Sequence, residues 1–431
     1  MTNGIPLFQN TMLKKTATYL INLFNSCSSK NMIILCSLIG VVIQLYIMFF
    51  KLNDPADLFW LDPHDYYRIG SELAQGLDYS SIGRENNLYR APGFPFFLAM
   101  LIKIFGNDII VIRLIFVAFF PLLIVVLFRI GYYFASKEVG KILIVLACVY
   151  PFYIYIPITL YPESLLLFLY PVVAMLMLKV KKRYNIFNLL LLGILLSFGI
   201  FVRPTTIVLI PTILVYLLFK SKFDRRYICN TIIFILIIPI ITVFLWMARN
   251  KSVHDVFIFS TGGSINLLIG YNDYADYGNK NGIMVLESLV LRIKQIPTLK
   301  QQERMRIMEV KNFIFSNPFK TMQLVFYRCL NLWNPIPVTI TKGGMASFKN
   351  KLLSGIPFVF YSLLGIIGFI LNRNNLFSNC LIVLLILNTV LNGIIVDSVR
   401  YRCITDFAIM LMAANVINKI NLNLKKRLSV F

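Results

Sequence analysis

Charge is scarce in this chain. Only 14% of its 431 residues are charged, and the acidic ones are the rarer sign, with 19 Asp and Glu against 42 Lys and Arg. A soluble domain carries about 25% charged residues, so an ordinary soluble protein is excluded. A hydrophobic fraction of 58% excludes a disordered one. The chain has two His and seven scattered Cys with no Cys-x-x-Cys pair, which argues against a Cys/His zinc site and leaves the Cys as small packing residues. No glycine-rich loop follows a strand-like run and no parallel-sheet pattern is present, so no soluble nucleotide-sugar fold is expected. Internal repeats, low-complexity tracts and a cleavable signal peptide are likewise not evident; the first apolar run begins near Met32, after a basic, polar leader.

What is there is a series of apolar runs, each about as long as a bilayer-crossing helix requires. The chain reads as an all-α polytopic membrane protein with about ten spans, near 32–50, 109–128, 142–159, 164–178, 187–202, 205–219, 229–248, 354–371, 376–395 and 403–418. Phe94–Phe105 is too short to span and reads as re-entrant or interfacial. This divides the chain into a leader (1–31), a seven-span core (32–248) with a first external loop (51–108), a partly helical external segment (249–353) and a three-span C-terminal part with its tail (354–431).

The formal charge of +23 could suggest nucleic acid, but a positive-inside bias explains it more simply. With a cytoplasmic N-terminus, the leader, alternate loops and tail hold nineteen Lys and Arg, opposed only by Glu138 and Asp224. Both termini are therefore expected in the cytoplasm, with the two long segments outside. In the second of these, Ile307, Val310 and Ile314 recur at helical spacing, Asn317-Pro318 stops that helix, and Leu324–Trp333 reads as lying at the membrane edge.

The first external loop opens with Asp62-Pro63-His64-Asp65, where Asp62 suits a helix N-cap, Pro63 the first helical position and Asp65 the third. Tyr66, Ile69, Gly70, Leu73 and Leu77 share one face, as in an amphipathic helix on a membrane surface. Asp62 reads as a cap or as a general base at the membrane–water boundary; the two are compatible, because a cap fixes a carboxylate's geometry. Asp65 reads as structural, and His64 as a solvated or interfacial polar residue. Arg90 follows, in a tight Arg-Ala-Pro-Gly-Phe-Pro turn, and reads as a headgroup snorkel or a phosphate clamp.

Several charges stand at the external ends of spans: Glu163 in Tyr161-Pro162-Glu163, Arg203 before Pro204, Arg249 before Asn250, and Arg400 and Arg402, with Asp397 and Asp406 near them. Ionisable residues at membrane depth mark functional sites by default. Snorkelling or inter-helix ion pairing explains any single Arg. The set points instead to bidentate phosphate recognition beside a carboxylate. That combination suits transfer of a sugar from a lipid phosphate, with Asp62 taking the acceptor's proton and the arginines stabilising the departing phosphate.

These residues resemble a family. Asp62-x-x-Asp65-Tyr66, Gly76 and Arg90-Ala-Pro-Gly-Phe-Pro are similar to the first external loop of GT-C-type membrane glycosyltransferases, in particular the dolichyl-phosphate-mannose-protein mannosyltransferase-like and aminoarabinose transferase-like group. Tyr161-Pro-Glu163, Val202-Arg203-Pro204, Arg249-Asn250, Ser260-Thr261-x-Gly263-x-x-Asn266 and Arg400-Tyr401-Arg402 follow in that group's order, over most of 53–413. The resemblance implies an inverting transferase using a polyprenyl-phosphate sugar, with Asp62 as base. Arg90, Arg203, Arg249, Arg400 and Arg402 would bind the donor phosphate, Asp65 and Glu163 would support, and Tyr66, Tyr161, Asn250 and Asn266 would line the substrate. Relatives often carry an adjacent Asp-Glu pair where this chain has Asp62-Pro63, which leaves divalent-metal use open. The proline that usually follows the last Arg-Tyr-Arg is replaced by Cys403. Expected partners are the bilayer, the lipid-linked donor and a glycan, lipid or protein acceptor, with no nucleic acid. The expected location is a bacterial inner membrane with the site facing outward. A surface-polysaccharide polymerase or ligase is a second reading, against which the capped acidic helix after the first span argues. A flippase is a third, against which the lack of two similar halves argues.

Overall fold

The computed structural model describes residues 26–51, 62–79, 87–179, 185–221, 224–273, 275, 291–293, 295–335, 348–396 and 398–428. Asp397 lies outside these. No strand occurs among the described residues. In chain order the main helices are α1 (Ser29–Phe50), α2 (Asp62–Ala74), α3 (Gly93–Phe105), α4 (Ile109–Phe134), α5 (Lys137–Cys148), α6 (Pro151–Tyr155), α7 (Glu163–Lys179), α8 (Ile186–Val202), α9 (Leu209–Lys220), α10 (Arg225–Ile232), α11 (Ile238–His254), α12 (Gly262–Gly270), α13 (Leu299–Ser316), α14 (Pro318–Leu332), α15 (Phe348–Leu371), α16 (Leu376–Ile395), α17 (Val399–Cys403) and α18 (Asp406–Leu428).

Among the described residues, six helices are long and apolar enough to cross a bilayer, or seven if α5 and the stretch Pro151–Thr159, bent by 72° at their junction, form one broken span. The chain is an integral multi-pass membrane protein. The helices expected to supply the remaining crossings are shorter. The helices α7 and α8 have 17 residues each, and at 1.5 Å per residue such a helix covers about 25 Å of a core about 30 Å thick. The break at Arg203-Pro204 is one reason: Pro cannot continue helix α8, so the chain passes through a 3-10 turn, Pro204–Val208, before α9.

The core sits around α18. Its residues Phe407 to Ala414 are almost wholly buried, enclosed by α5 and α15. Where α15 crosses α18, Gly368 lies against the Met412 carbonyl, and a Cβ there would stand 2.5 Å from that oxygen. Close approach through small residues is how membrane helices gain packing contacts when lipid is as apolar as they are.

Two expectations for the external parts change. The apolar face of α2 is covered by α3 rather than laid bare on the membrane: Tyr66, Ile69 and Gly70 are buried, with Gly70 against Leu98. Leu77 does not belong to that face. The helix ends at Ala74, Gly76 takes φ +89°, and Leu77 is 48% exposed. The expected stop at Asn317-Pro318 does separate α13 from α14, and α14 packs its Leu324, Arg328 and Leu332 face inward against α16.

Candidate active site

The first-loop acid and the late arginine, 338 residues apart, meet directly. Asp62, the first residue of α2, accepts through Oδ1 from the Arg90 guanidinium at 2.7 Å and through Oδ2 from the Arg400 guanidinium at 2.6 Å. The same Arg90 nitrogen donates to Asp65 at 3.1 Å. Glu163, the first residue of α7, accepts from Arg203, and the Arg400 Nε lies 3.9 Å from the same carboxylate. Three guanidiniums and three carboxylates, drawn from five separate stretches of chain, thus form one connected cluster.

Local structure explains how each arrives. Pro92 ends the turn after Arg90, and Gly93 then lies so close to the backbone of Phe201 and Val202 that a Cβ would stand 2.5 Å from the Phe201 carbonyl carbon. This contact brings Arg90 and Arg203 to the same level. Leu160 takes the left-handed region at φ 54°, unusual for a bulky residue, and so reverses the chain before Tyr161 and Glu163. Glu163 at a helix N-terminus also meets the favourable end of the helix dipole. Tyr79 donates its hydroxyl to the Arg90 carbonyl at 2.8 Å, and the Leu88 carbonyl accepts from Thr261 N–H at 2.8 Å, anchoring the turn against the second external segment.

Aromatic rings hold the guanidiniums. Arg90 lies over Tyr66 and Tyr89 at 4.8 and 4.5 Å, Arg400 over Tyr161 and Tyr401 at 4.3 and 5.1 Å, and Arg203 over Tyr401 at 3.5 Å. Such contacts fix a planar cation without neutralising it. Tyr401 also accepts from Arg400 through its hydroxyl at 3.2 Å, while its carbonyl accepts from buried Asn388 of α16. Tyr401 enters the sequence reading only as the middle of Arg400-Tyr401-Arg402, with no role of its own, and Tyr89 not at all; the pairing of ring and guanidinium across the chain is not visible in linear order.

The electrostatics follow from this geometry. Burial pushes the Asp62 carboxyl up, but Arg400 and Arg90 more than reverse it and hold it well below the usual carboxylate range. Arg90 and Arg400 are both raised, the charges around them outweighing their desolvation.

Four expected site residues stand elsewhere. Arg402 turns away from Asp62. Two residues along a helix rotate about 200°, so Arg400 faces the cluster while Arg402, 1% exposed, enters the core. There it pairs with Asp406 at 3.2 Å, lies 3.4 Å over the Phe358 ring, and donates to the Leu332 carbonyl at 3.0 Å and the Tyr150 hydroxyl at 3.2 Å. Arg249 pairs with Asp78 at 3.0 Å, beside Trp246. Asn250 is fully buried and spends its amide on the Ile258 and Phe259 carbonyls, pinning the chain after α11. Asn266 sits half-buried on α12, and no hydrogen bond or ion pair among the described residues joins it to Asp62. Sequence reading also missed a buried Glu303–Arg306 pair that binds Ser264 and joins α13 to α12.

The carboxylates of the cluster are held chiefly by guanidiniums, with Glu163 Oε2 buried and without a hydrogen-bond partner among the described residues. The oxygens of Asp62, Asp65 and Glu163 that meet face guanidiniums, and among the described residues no group of three or more His, Cys, Asp or Glu could hold a metal.

Residues 89–247 match the family described as dolichyl-phosphate-mannose-protein mannosyltransferase. Over 93% of the chain the fold is similar to the archaeal oligosaccharyltransferase AglB from Archaeoglobus fulgidus, solved in complex with an inhibitory peptide and a dolichol-phosphate, with TM-score 0.54, 15% identity and 51% of that chain covered. The apo form of the oligosaccharyltransferase from the same organism gives TM-score 0.54 at 13% identity, with 94% of this chain and 52% of that one covered. The chain therefore spans about half the length of these structures, and the likeness is one of fold. No curated protein matches it. The resemblance drawn from the motifs is thus shared by a family match and a fold match, the former including Arg90, Glu163 and Arg203.

Proposed function

We propose that this protein is an inverting membrane glycosyltransferase that moves a sugar from a polyprenyl phosphate to an acceptor at the non-cytoplasmic face. The observation that carries this reading is the convergence of Asp62 with Arg90 and Arg400, and of Arg203 alongside, on one connected site. The acceptor's hydroxyl or amine attacks the anomeric carbon from the side opposite the phosphate and gives its proton to Asp62. The bond from the anomeric carbon to the phosphate oxygen breaks, and its electron pair stays on that oxygen. The guanidiniums stabilise the charge that develops there. Attack opposite the leaving group inverts the anomeric centre. Tyr66 and Tyr161 line the same place.

An apolar groove beside the cluster would suit the lipid. Directly after Arg203, residues Ile207, Val208 and Pro211 face Leu387, Leu391 and Ile394 of α16 across a wholly apolar groove of about 320 Å³. A polyprenyl chain in that groove would carry its phosphate toward Arg203 and Arg400. Orientation follows from charge. Helix α7 has Glu163 at one end and Lys179 at the other, and the segment from Arg203 through α9 ends in Lys220. Under the positive-inside rule the cluster end would be outward and both termini cytoplasmic; ten crossings and a bacterial inner membrane are the proposed setting. The dolichol-phosphate and peptide held by the archaeal neighbour are consistent with a lipid-phosphate donor and leave glycan, lipid and protein acceptors open.

The test is to offer the purified protein polyprenyl-phosphate sugars. Release of polyprenyl phosphate, lost in Asp62→Asn, is the expected outcome. Movement of an intact lipid-linked sugar across vesicles without release would make it a transporter instead.

A further inference from the structure

A base clamped by two cations is a poor proton acceptor, so the geometry of Asp62 conflicts with its role unless something releases it. We propose that in the donor-free protein the Asp62 carboxylate occupies the anion position between Arg90 and Arg400 that the donor's phosphate takes, so that donor binding displaces Asp62 and frees it to act as base. This rests on the glycosyltransferase reading and deepens it: the site is self-blocked, and the donor must bind before the acceptor's proton can be taken.

Three observations carry it. First, the two Asp62 oxygens each accept from a different guanidinium, at 2.7 and 2.6 Å, as two non-bridging oxygens of a phosphate would. Second, the cluster is balanced in charge. Arg90, Arg203 and Arg400 face Asp62, Asp65 and Glu163, and Arg68, which also touches Asp65, is matched by Glu72, so among the described residues of the cluster a phosphodiester anion finds no surplus cation until a carboxylate yields. Asp62 is the one whose release frees both Arg90 and Arg400. Glu163 is 1% exposed and fixed at a helix start on Arg203. Asp65 touches Arg90 and Arg68, and no ion pair joins it to Arg400. Asp62 is 25% exposed and, among the described residues, alone bridges Arg90 and Arg400. Third, both guanidiniums have holding contacts other than Asp62. Tyr66 and Tyr89 hold Arg90, and Tyr161 and Tyr401 hold Arg400, through ring contacts that do not involve a carboxylate. When phosphate takes the guanidiniums, Asp62 loses the cations that depress its proton affinity. On proton transfer Asp62 becomes neutral while the leaving phosphate gains one negative charge, so the site's total charge is unchanged through the step.

The test is the affinity of the purified full-length protein for a polyprenyl monophosphate, with the uncharged polyprenol as reference. Asp62→Asn is expected to bind the phosphate about tenfold more tightly than the unaltered protein, the scale of removing one competing charge-assisted hydrogen bond. Asp65→Asn should change affinity by less than about threefold, the scale of an exposed pair. Arg400→Ala should weaken binding more in the Asp62→Asn background than alone, since a competitor for Arg400 has gone; additive effects would mean only a general change in field. Equal or weaker binding by Asp62→Asn, or additivity, overturns the displacement while leaving the transferase reading intact. Phosphate and alcohol bound equally, or neither bound, overturns both. A measurement on the unaltered protein covers the case of a poorly folded variant: carbodiimide labelling of Asp62, followed by mass spectrometry, should speed up when polyprenyl phosphate is bound. Slower or unchanged labelling overturns the displacement.

Discussion

Two clusters of arginine and carboxylate lie within a few residues of each other around α17, and they differ in one respect that decides their roles. In the Asp62–Arg90–Arg400 cluster every member keeps some exposure, from 12% at Arg90 to 25% at Arg400 and Asp62. In the Arg402–Asp406–Tyr150 cluster the two charges are 1% and 3% exposed, and Tyr150 donates to Asp406 at 2.5 Å. The first is open to an incoming anion. The second has its partners sealed around it, bridging α14, α17, α18 and the junction of α5 with α6. A sealed pair is expensive to break because the survivor is left buried and uncompensated; an exposed pair is cheap to rearrange. The same chemistry therefore serves stability in one place and exchange in the other.

The largest expected effect sharpens that contrast. Asp62→Asn should lower transfer by about 10²–10⁴-fold, the range for loss of a general base, with the protein still folded and its thermal midpoint lowered less than by Arg402→Ala. Arg402→Ala should do the reverse: about 3–5 kcal/mol of stability lost, read as a lower yield of folded protein and a lower midpoint. If Arg402→Ala folded normally and lost only donor affinity, the division between the clusters would fail. Next, Arg203→Ala or Arg400→Ala should reduce kcat/KM for the donor by about 10²-fold, as removal of a group stabilising the leaving charge does; unchanged kinetics would return them to snorkelling.

A smaller effect concerns pH. Because the folded Asp62 carboxyl lies below its usual value, the acid limb of kcat/KM should fall below about pH 4, the ordinary Asp range. Removing a lowering cation raises the value, so Arg400→Ala should move that limb to higher pH. The same sign governs stability: the contribution of Asp62 is present above its unfolded value and is lost as pH falls through the folded one. Smallest is Tyr401→Phe. It keeps the ring over Arg203 and loses one hydroxyl acceptor for Arg400, so donor KM should rise only a few-fold, about 1 kcal/mol, whereas Tyr401→Leu should raise it further with kcat less affected.

Much of the helical layout is legible in the linear order because the bilayer simplifies the rule. Backbone polar groups must be satisfied internally, so a long apolar run can only be a helix, and α1, α4, α15 and α16 follow their apolar runs closely. The external helices are less legible. α2 shows its apolar face in sequence, but nothing local says that α3 covers it, nor that Gly76 ends it before Leu77.

At the site, composition and position determined which residues were worth attention: rare acids and outward arginines stand out against apolar surroundings because each costs free energy there. Pattern alone treats Arg400 and Arg402 alike, as it does Arg203 and Arg249. Only the tertiary structure separates them, because helix rotation sends side chains two residues apart to opposite faces, and which face is interior depends on α14, α15 and α18, whose contacts with α17 no local signal specifies. Partner choice between charges is a short-range matter of a few ångströms, and the chain order that encodes span length and sidedness carries no such distance.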